Sequence, residues 1–184
     1  MKTIDWKVCL LHPSAAARYC KRCGKRTEFI PSGLFRVNAQ KKNLDVWLVY
    51  KCAVCDTTWN LAVHSRVNPR SLPPGALNGY MNNEAEYALR CAADTALIRR
   101  NGAEPGMPEV ELVGADASLL EPVELHITAE QPLEIRPGAL LRGKLGLSRA
   151  AYDRMLVRGQ IVCVSGHSLS ACKLCGEMVI QIHP

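Results

Sequence analysis

The sequence predicts an α+β protein in three parts: N-terminal β-hairpins built around four cysteines, a central helix, and a C-terminal helix–turn–helix–strand segment. Three observations carry that expectation. Two Cys-x-x-Cys pairs, Cys20-Lys-Arg-Cys23 and Cys52-Ala-Val-Cys55, stand twenty-eight residues apart. Between Asn83 and Arg100, the residues Tyr87, Ala88, Cys91, Ala92, Thr95 and Ile98 recur near helical spacing. From Pro137 to Gly166, helix starts and stops alternate in a fixed order. The segments follow as residues 1–70, an acidic helix-and-strand connector over 71–132, and residues 133–184.

Each Cys-x-x-Cys pair supplies two thiolates from one tight turn, so two such turns complete a tetrahedron around a soft divalent ion. Gly24 directly after Cys23 accepts the backbone bend that such a turn needs. Leu34–Val37 and Leu44–Lys51 read as strands on either side of the polar turn Gln40-Lys41-Lys42-Asn43. A third strand, Thr57–Val63, follows the second pair. A hairpin between the pairs brings them together, which is the layout of a zinc ribbon with Cys20, Cys23, Cys52 and Cys55 as ligands. A redox dithiol needs a βαβ context, and none surrounds Cys20. Alternation puts Trp47 and Val49 on one face of the second strand and Leu48 and Tyr50 on the other. Trp47, between apolar neighbours, is expected in the core.

Residues Asn68 to Gly79 hold three Pro and two Gly and read as a linker. The helix beyond them is expected to be capped by Asn82 or Asn83 and stopped at Asn101-Gly102. Cys91 falls on its buried face. Val110–Val113 and Pro122–Thr128 read as strands, with His126 on the polar side of the second. In the last segment a helix opens at Pro137, whose missing N–H costs nothing there, and ends near Gly146. Ser148 caps a second helix carrying Tyr152, Met155 and Leu156, which stops at Gly159. The strand Gln160–Val164 and the turn Ser165-Gly166 complete it.

Charge is unevenly spread. Net charge is +6, made of +9 over residues 1–70, −8 over 71–135 and +5 over 136–184. Two basic ends around an acidic middle suit a polyanion-facing surface. Charges interrupt the first residues before any signal-peptide core, and no run approaches a membrane span. Nine cysteines without a secretion signal favour metal over disulfides. A cytoplasmic protein with no membrane partner is expected.

The segment Leu145-Gly-Leu-Ser-Arg149, with Arg158-Gly159 and Ser165-Gly166 after it, resembles the alpha-L RNA-binding module of the ribosomal protein S-four type. Here Arg136-Pro137-Gly138 stands where that family opens with Arg-Leu-Asp. The resemblance implies that Arg136, Arg142, Lys144, Arg149, Arg154 and Arg158 lie along RNA phosphates, to which guanidinium groups donate in planar pairs. Much of the chain also resembles a bacterial family of unknown function, the domain of unknown function numbered 1062. That resemblance rests on Cys20-Lys-Arg-Cys23, the block Phe35 to Cys52, Cys55, Thr58-Trp-Asn-Leu61, Ser65 to Arg70 and the C-terminal segment. It implies an architecture and leaves activity open.

Cys172-Lys-Leu-Cys175-Gly176 is a third knuckle, read as free thiols. The alternative is a second metal held by Cys163 or His167 with Cys172 and Cys175. The chain has no phosphate-cradling Gly-rich loop, no nucleophile elbow and no His-Glu-x-x-His pair. A closed four-Cys site does not activate water. The reading is therefore a non-enzymatic zinc protein that binds RNA, ribosomal or transfer RNA being the expected kinds. The alternatives are a protein-interaction module with a structural zinc, and a thiol- or metal-dependent enzyme.

Overall fold

The computed structural model describes residues 1–40, 43–129, 135–174 and 176–184. The chain begins with strand β1 (Lys2–His12), followed by β2 (Ala16–Cys20), β3 (Lys25–Gln40), β4 (Asn43–Cys52) and β5 (Thr58–Val67). Three short helices come next: α1 (Ala76–Met81), α2 (Ala85–Ala93) and α3 (Thr95–Arg100). Strands β6 (Glu104–Pro105), β7 (Glu109–Val113) and β8 (Val123–Ala129) lead to helices α4 (Pro137–Lys144) and α5 (Arg149–Val157). The last strands are β9 (Ile161–Cys163) and β10 (Glu177–Ile182). Mixed α+β architecture is thus as the sequence predicts. Among the described residues no helix is long and apolar enough to cross a membrane.

The chain divides into two compact units, His12–Glu109 and Met1–Leu11 with Val110–Pro184. This division differs from the three consecutive segments read from the sequence. The cause is β1, which pairs in parallel with β8 from Lys2↔Val123 to Val8↔Ala129. A parallel partner so far along the chain leaves no local signature. The acidic stretch is consequently shared between both units.

In the first unit five strands form one sheet in the order β5-β4-β3-β2-β6. Strand β4, paired on both sides, carries much of its core: Leu44, Val46, Leu48 and Tyr50 are all buried on one face, as period-two alternation requires. Leu61 of β5 and Ala92, Leu97 and Ile98 of the helices close that core. Trp47, on the opposite face, is only half-buried, paired across the sheet with Arg36. The β3–β4 register closes at Gln40↔Asn43, on the predicted turn. Lys41 and Lys42 lie outside the described residues. Strand β3 is much longer than its predicted stretch because it passes through an irregularity between Pro31 and Phe35. Gly33 takes φ +76° there, and Ser32 Oγ donates to Val49 O at 2.8 Å.

The expected single helix over 83–100 is broken. Asp94 leaves helical geometry and its Oδ1 accepts from Leu97 N at 2.9 Å, so it caps α3 rather than continuing α2. Asn83 does not cap α2 with its side chain. Its Oδ1 accepts instead from Phe35 N at 2.6 Å, tying the helices to the β3 irregularity. The stretch read as a linker contains a 3₁₀ turn and most of α1. A Cβ at Gly79 would lie 2.4 Å from the Tyr87 ring, so only glycine admits that approach of α1 and α2.

The second unit holds a five-stranded sheet in the order β7-β1-β8-β10-β9. Ile4, Trp6 and Val8 alternate inward with Leu125 and Ile127, and with Met178, Ile180 and Ile182. Each such side chain contributes about 1.5–3 kcal/mol when fully buried. Trp6 also donates from Nε1 to Ala115 O at 2.7 Å. Helices α4 and α5 and strand β9 fall within a residue or two of their predicted places. Ser148 Oγ accepts from Ala151 N at 3.2 Å, capping α5 as expected.

Candidate metal centre

The two Cys-x-x-Cys turns reach the same end of the first unit's sheet because of strand register. Strand β2 ends at Cys20 opposite Lys25, and β4 ends at Cys52 opposite Phe29. The turns after Cys20 and Cys52 therefore lie side by side, and the second is tied to β3 by Ala53 N donating to Glu28 O at 2.9 Å. They are also alike locally. Gly24 N donates to Cys20 O at 2.9 Å and Asp56 N to Cys52 O at 3.0 Å. The residue after each second cysteine is left-handed, Gly24 at φ +66° and Asp56 at φ +60°. Gly accepts this region freely, and Asp is among the residues that tolerate it.

Folding thus brings four sulfurs together. Cys20 Sγ lies 3.5 Å from Cys55 Sγ and Cys23 Sγ 3.9 Å from Cys52 Sγ, and all four lie within 4.8 Å of one another. Disulfide sulfurs stand at about 2.05 Å, so these are free thiols. Four sulfurs placed tetrahedrally at about 2.3 Å from one ion are about 3.8 Å apart. The observed separations bracket that value, so the donor set fits a four-coordinate metal ion. Cys20 and Cys52 are buried, Cys23 and Cys55 partly exposed.

The surroundings favour the thiolate at Cys52 and Cys55. Thr27 Oγ1 stands 3.2 Å from Cys52 Sγ, and its hydrogen bond, with the Val54 and Cys55 amides, brings that thiol down to about 6. Thr57, with its hydroxyl 3.1 Å from Cys55 Sγ and its own amide, holds Cys55 below the ordinary thiol range. Cys23 is pushed up to about 12, chiefly by its hydrogen bond with Cys55. Sulfurs this close hold their protons unequally, and a divalent ion replaces those protons altogether. Arg18 lies beside Cys20, with its guanidinium 4.3 Å from the Trp59 ring centre, where a cation offsets the charge of an ion bound by four thiolates. Thr27 and Thr57 were not singled out in the sequence. A threonine two residues beyond Cys55 is a weak signal, and Thr27 is found only through the β3–β4 register, which sets Phe29 opposite Cys52.

The other predicted residues fall elsewhere. Among the described residues the four cysteines are the one group of three or more Cys, His, Asp or Glu whose ligand atoms converge. Cys163, His167 and Cys172 do not form another, and Cys175 lies outside the described residues. Cys163 is buried with its sulfur 3.1 Å from Ser165 Oγ, in a cleft of about 560 Å³ that His167 also lines. Arg136 precedes α4, and Arg149, Arg154 and Arg158 belong to α5 or its end, all exposed. Lys144 pairs with Asp116 at 3.2 Å and Arg149 with Asp153 at 3.8 Å. Arg142 Nε donates to Gly138 O at 3.2 Å.

Residues 37–167 match the model of a family described as proteins of unknown function, DUF1062. The chain belongs to the DUF1062 family. No curated protein and no solved structure matches it. The part matched to DUF1062 holds Cys52, Cys55 and both helices α4 and α5, whereas Cys20 and Cys23 precede it.

Proposed function

We propose that this DUF1062 protein is a non-enzymatic zinc-ribbon protein that binds RNA through its C-terminal helix–turn–helix–strand segment. Zinc is the ion that an all-thiolate tetrahedral site suits best, and four protein ligands leave it no open position for chemistry. The role of the ion is then structural.

The observation that carries RNA binding is the state of the arginines around α4 and α5. Arg136, Arg154 and Arg158 are exposed and have no acidic partner among the described residues. Such unpaired guanidinium groups are available to phosphate oxygens. Lys144 and Arg149 have acidic neighbours, but the exposed Arg149–Asp153 pair contributes only about 0–1 kcal/mol and yields readily to a phosphate. The alpha-L resemblance and the observed helix–turn–helix–strand order support the same surface.

The test is binding of a transfer RNA to the full, metal-loaded chain across a salt series. Wild type is expected to bind with a steep salt dependence. The triple variant Arg136→Gln, Arg154→Gln, Arg158→Gln should lower affinity and reduce the logarithmic salt slope by roughly 2–3. Unchanged affinity and slope would remove RNA binding from this segment and bring protein docking forward.

A further inference from the structure

Division by compact units redistributes the charge. Unit His12–Glu109 carries fourteen Lys and Arg against eight Asp and Glu, whereas the other unit carries nine against nine. The whole positive excess of the chain therefore belongs to the unit with the four cysteines. The acidic middle cancels the basic C-terminal segment within the second unit.

Much of that excess stands at the metal end of the sheet. Lys21 and Arg22 occupy the first turn and Lys25 opens β3, all three exposed and none with an acidic partner among the described residues. Beside them stands Tyr19, 57% exposed, the most exposed aromatic side chain among the described residues. Strand alternation explains its direction. Ala16, Arg18 and Cys20 face the core side, with Arg18 laid over Trp59, so Tyr19 is on the other face, opposite Arg26. Arg26 is held by Glu104 at 2.6 Å, which leaves the Tyr19 ring open. Val54 on the second turn is also exposed.

We infer that this end of the first unit is a second RNA-contacting surface, taking an unpaired strand. One base stacks on Tyr19 and adjoining phosphates lie against Lys21, Arg22 and Lys25. An exposed ring among cations is the combination that single strands select, because every base has a stackable face and every link a charge. A metal held by Cys20 and Cys23 would fix the turn that carries the cations, so that they are held in place rather than scattered along a mobile loop. The inference rests on the reading that the chain binds RNA, but it places the contact in the other unit.

The experiment uses the full, metal-loaded chain and a fluorescent uridine homopolymer of about a dozen nucleotides, long enough to cover one such site. Tyr19→Ala is expected to weaken binding at least about fivefold, and Tyr19→Phe to retain it, since stacking needs the ring alone. Lys21→Gln, Arg22→Gln, Lys25→Gln together should lower the logarithmic salt slope by about 2. Zinc content equal to wild type in each variant shows that the turn is intact. If wild type binds but these variants match it while the C-terminal arginine variant fails, this inference is overturned and the C-terminal reading stands. If the knuckle variants fail and the C-terminal variant does not, the inference holds and that reading falls. A wild type that binds neither transfer RNA nor the homopolymer overturns both. Equal loss in Tyr19→Phe and Tyr19→Ala overturns the stacking contact.

Discussion

The two units of this chain reach order by different means. In unit His12–Glu109 the main strands follow one another in sequence, β2 to β5, and neighbouring strands pair as hairpins. Four sulfurs then gather at one end within 4.8 Å. In the other unit the sheet depends on β1 lying in parallel beside β8, and stability comes from many alternating apolar side chains. Under the proposal above, the first unit adds the bonds of one ion to its apolar core, whereas the other relies on summed burial alone. They should therefore fail under different insults, and the net charge of +6 held by the first unit sets them apart in binding as well.

The largest expected effect comes from removing the metal. Structural zinc contributes about 10–16 kcal/mol of binding free energy, comparable with or above the whole stability of a small domain. Chelation, or Cys52→Ser, should abolish hydrogen-exchange protection across β3, β4 and β5 while β8 and β10 stay protected. Equal loss in both units would erase the contrast. Trp6→Ala makes the opposite cut. It empties a fully buried site and loses the bond to Ala115 O, at a cost of about 3–5 kcal/mol, with zinc content unchanged. Urea unfolding followed by zinc analysis reads both halves of that expectation.

Smaller effects sharpen the description of the first unit's core. Tyr50 is fully buried and its hydroxyl has no hydrogen-bond partner among the described residues. Tyr50→Phe should therefore stabilise the protein by about 1 kcal/mol, seen as a higher unfolding midpoint. Cys91 and Tyr80 are both pushed up to about 12, chiefly by burial. Folding favours their neutral forms, so their contribution is intact below the ordinary values of 9 for the thiol and 10 for the phenol and is lost from there up to about pH 12. Unfolding free energy should fall over that window and fall less steeply in Cys91→Ala. A flat profile, or an identical slope in the variant, contradicts the assignment.

How much could be read in advance follows the same divide. The four cysteines and the hairpins between them were legible because thiol spacing and period-two alternation are local signals. So were α4, the Ser148 cap and α5, where Pro137, Gly146, Ser148 and Gly159 mark every boundary. Strand β1 was missed although Ile4, Trp6 and Val8 alternate with Thr3, Asp5 and Lys7, because its partner lies beyond residue 120. Met178, Ile180 and Ile182 of β10 carried the same overlooked alternation. The break at Asp94 was hidden because apolar spacing runs on across it, while a competing side-chain cap decides the backbone. Thr27 could not be found before the β3–β4 register placed it against Cys52.

The central claim is that Cys20, Cys23, Cys52 and Cys55 hold one zinc ion that organises the first unit. Zinc stoichiometry with X-ray absorption at the zinc edge on the purified chain tests it most directly. The account predicts one zinc per chain with four sulfur neighbours at about 2.3 Å and no nitrogen or oxygen in the first shell. A folded chain without metal, or zinc bound through nitrogen or oxygen, would contradict it.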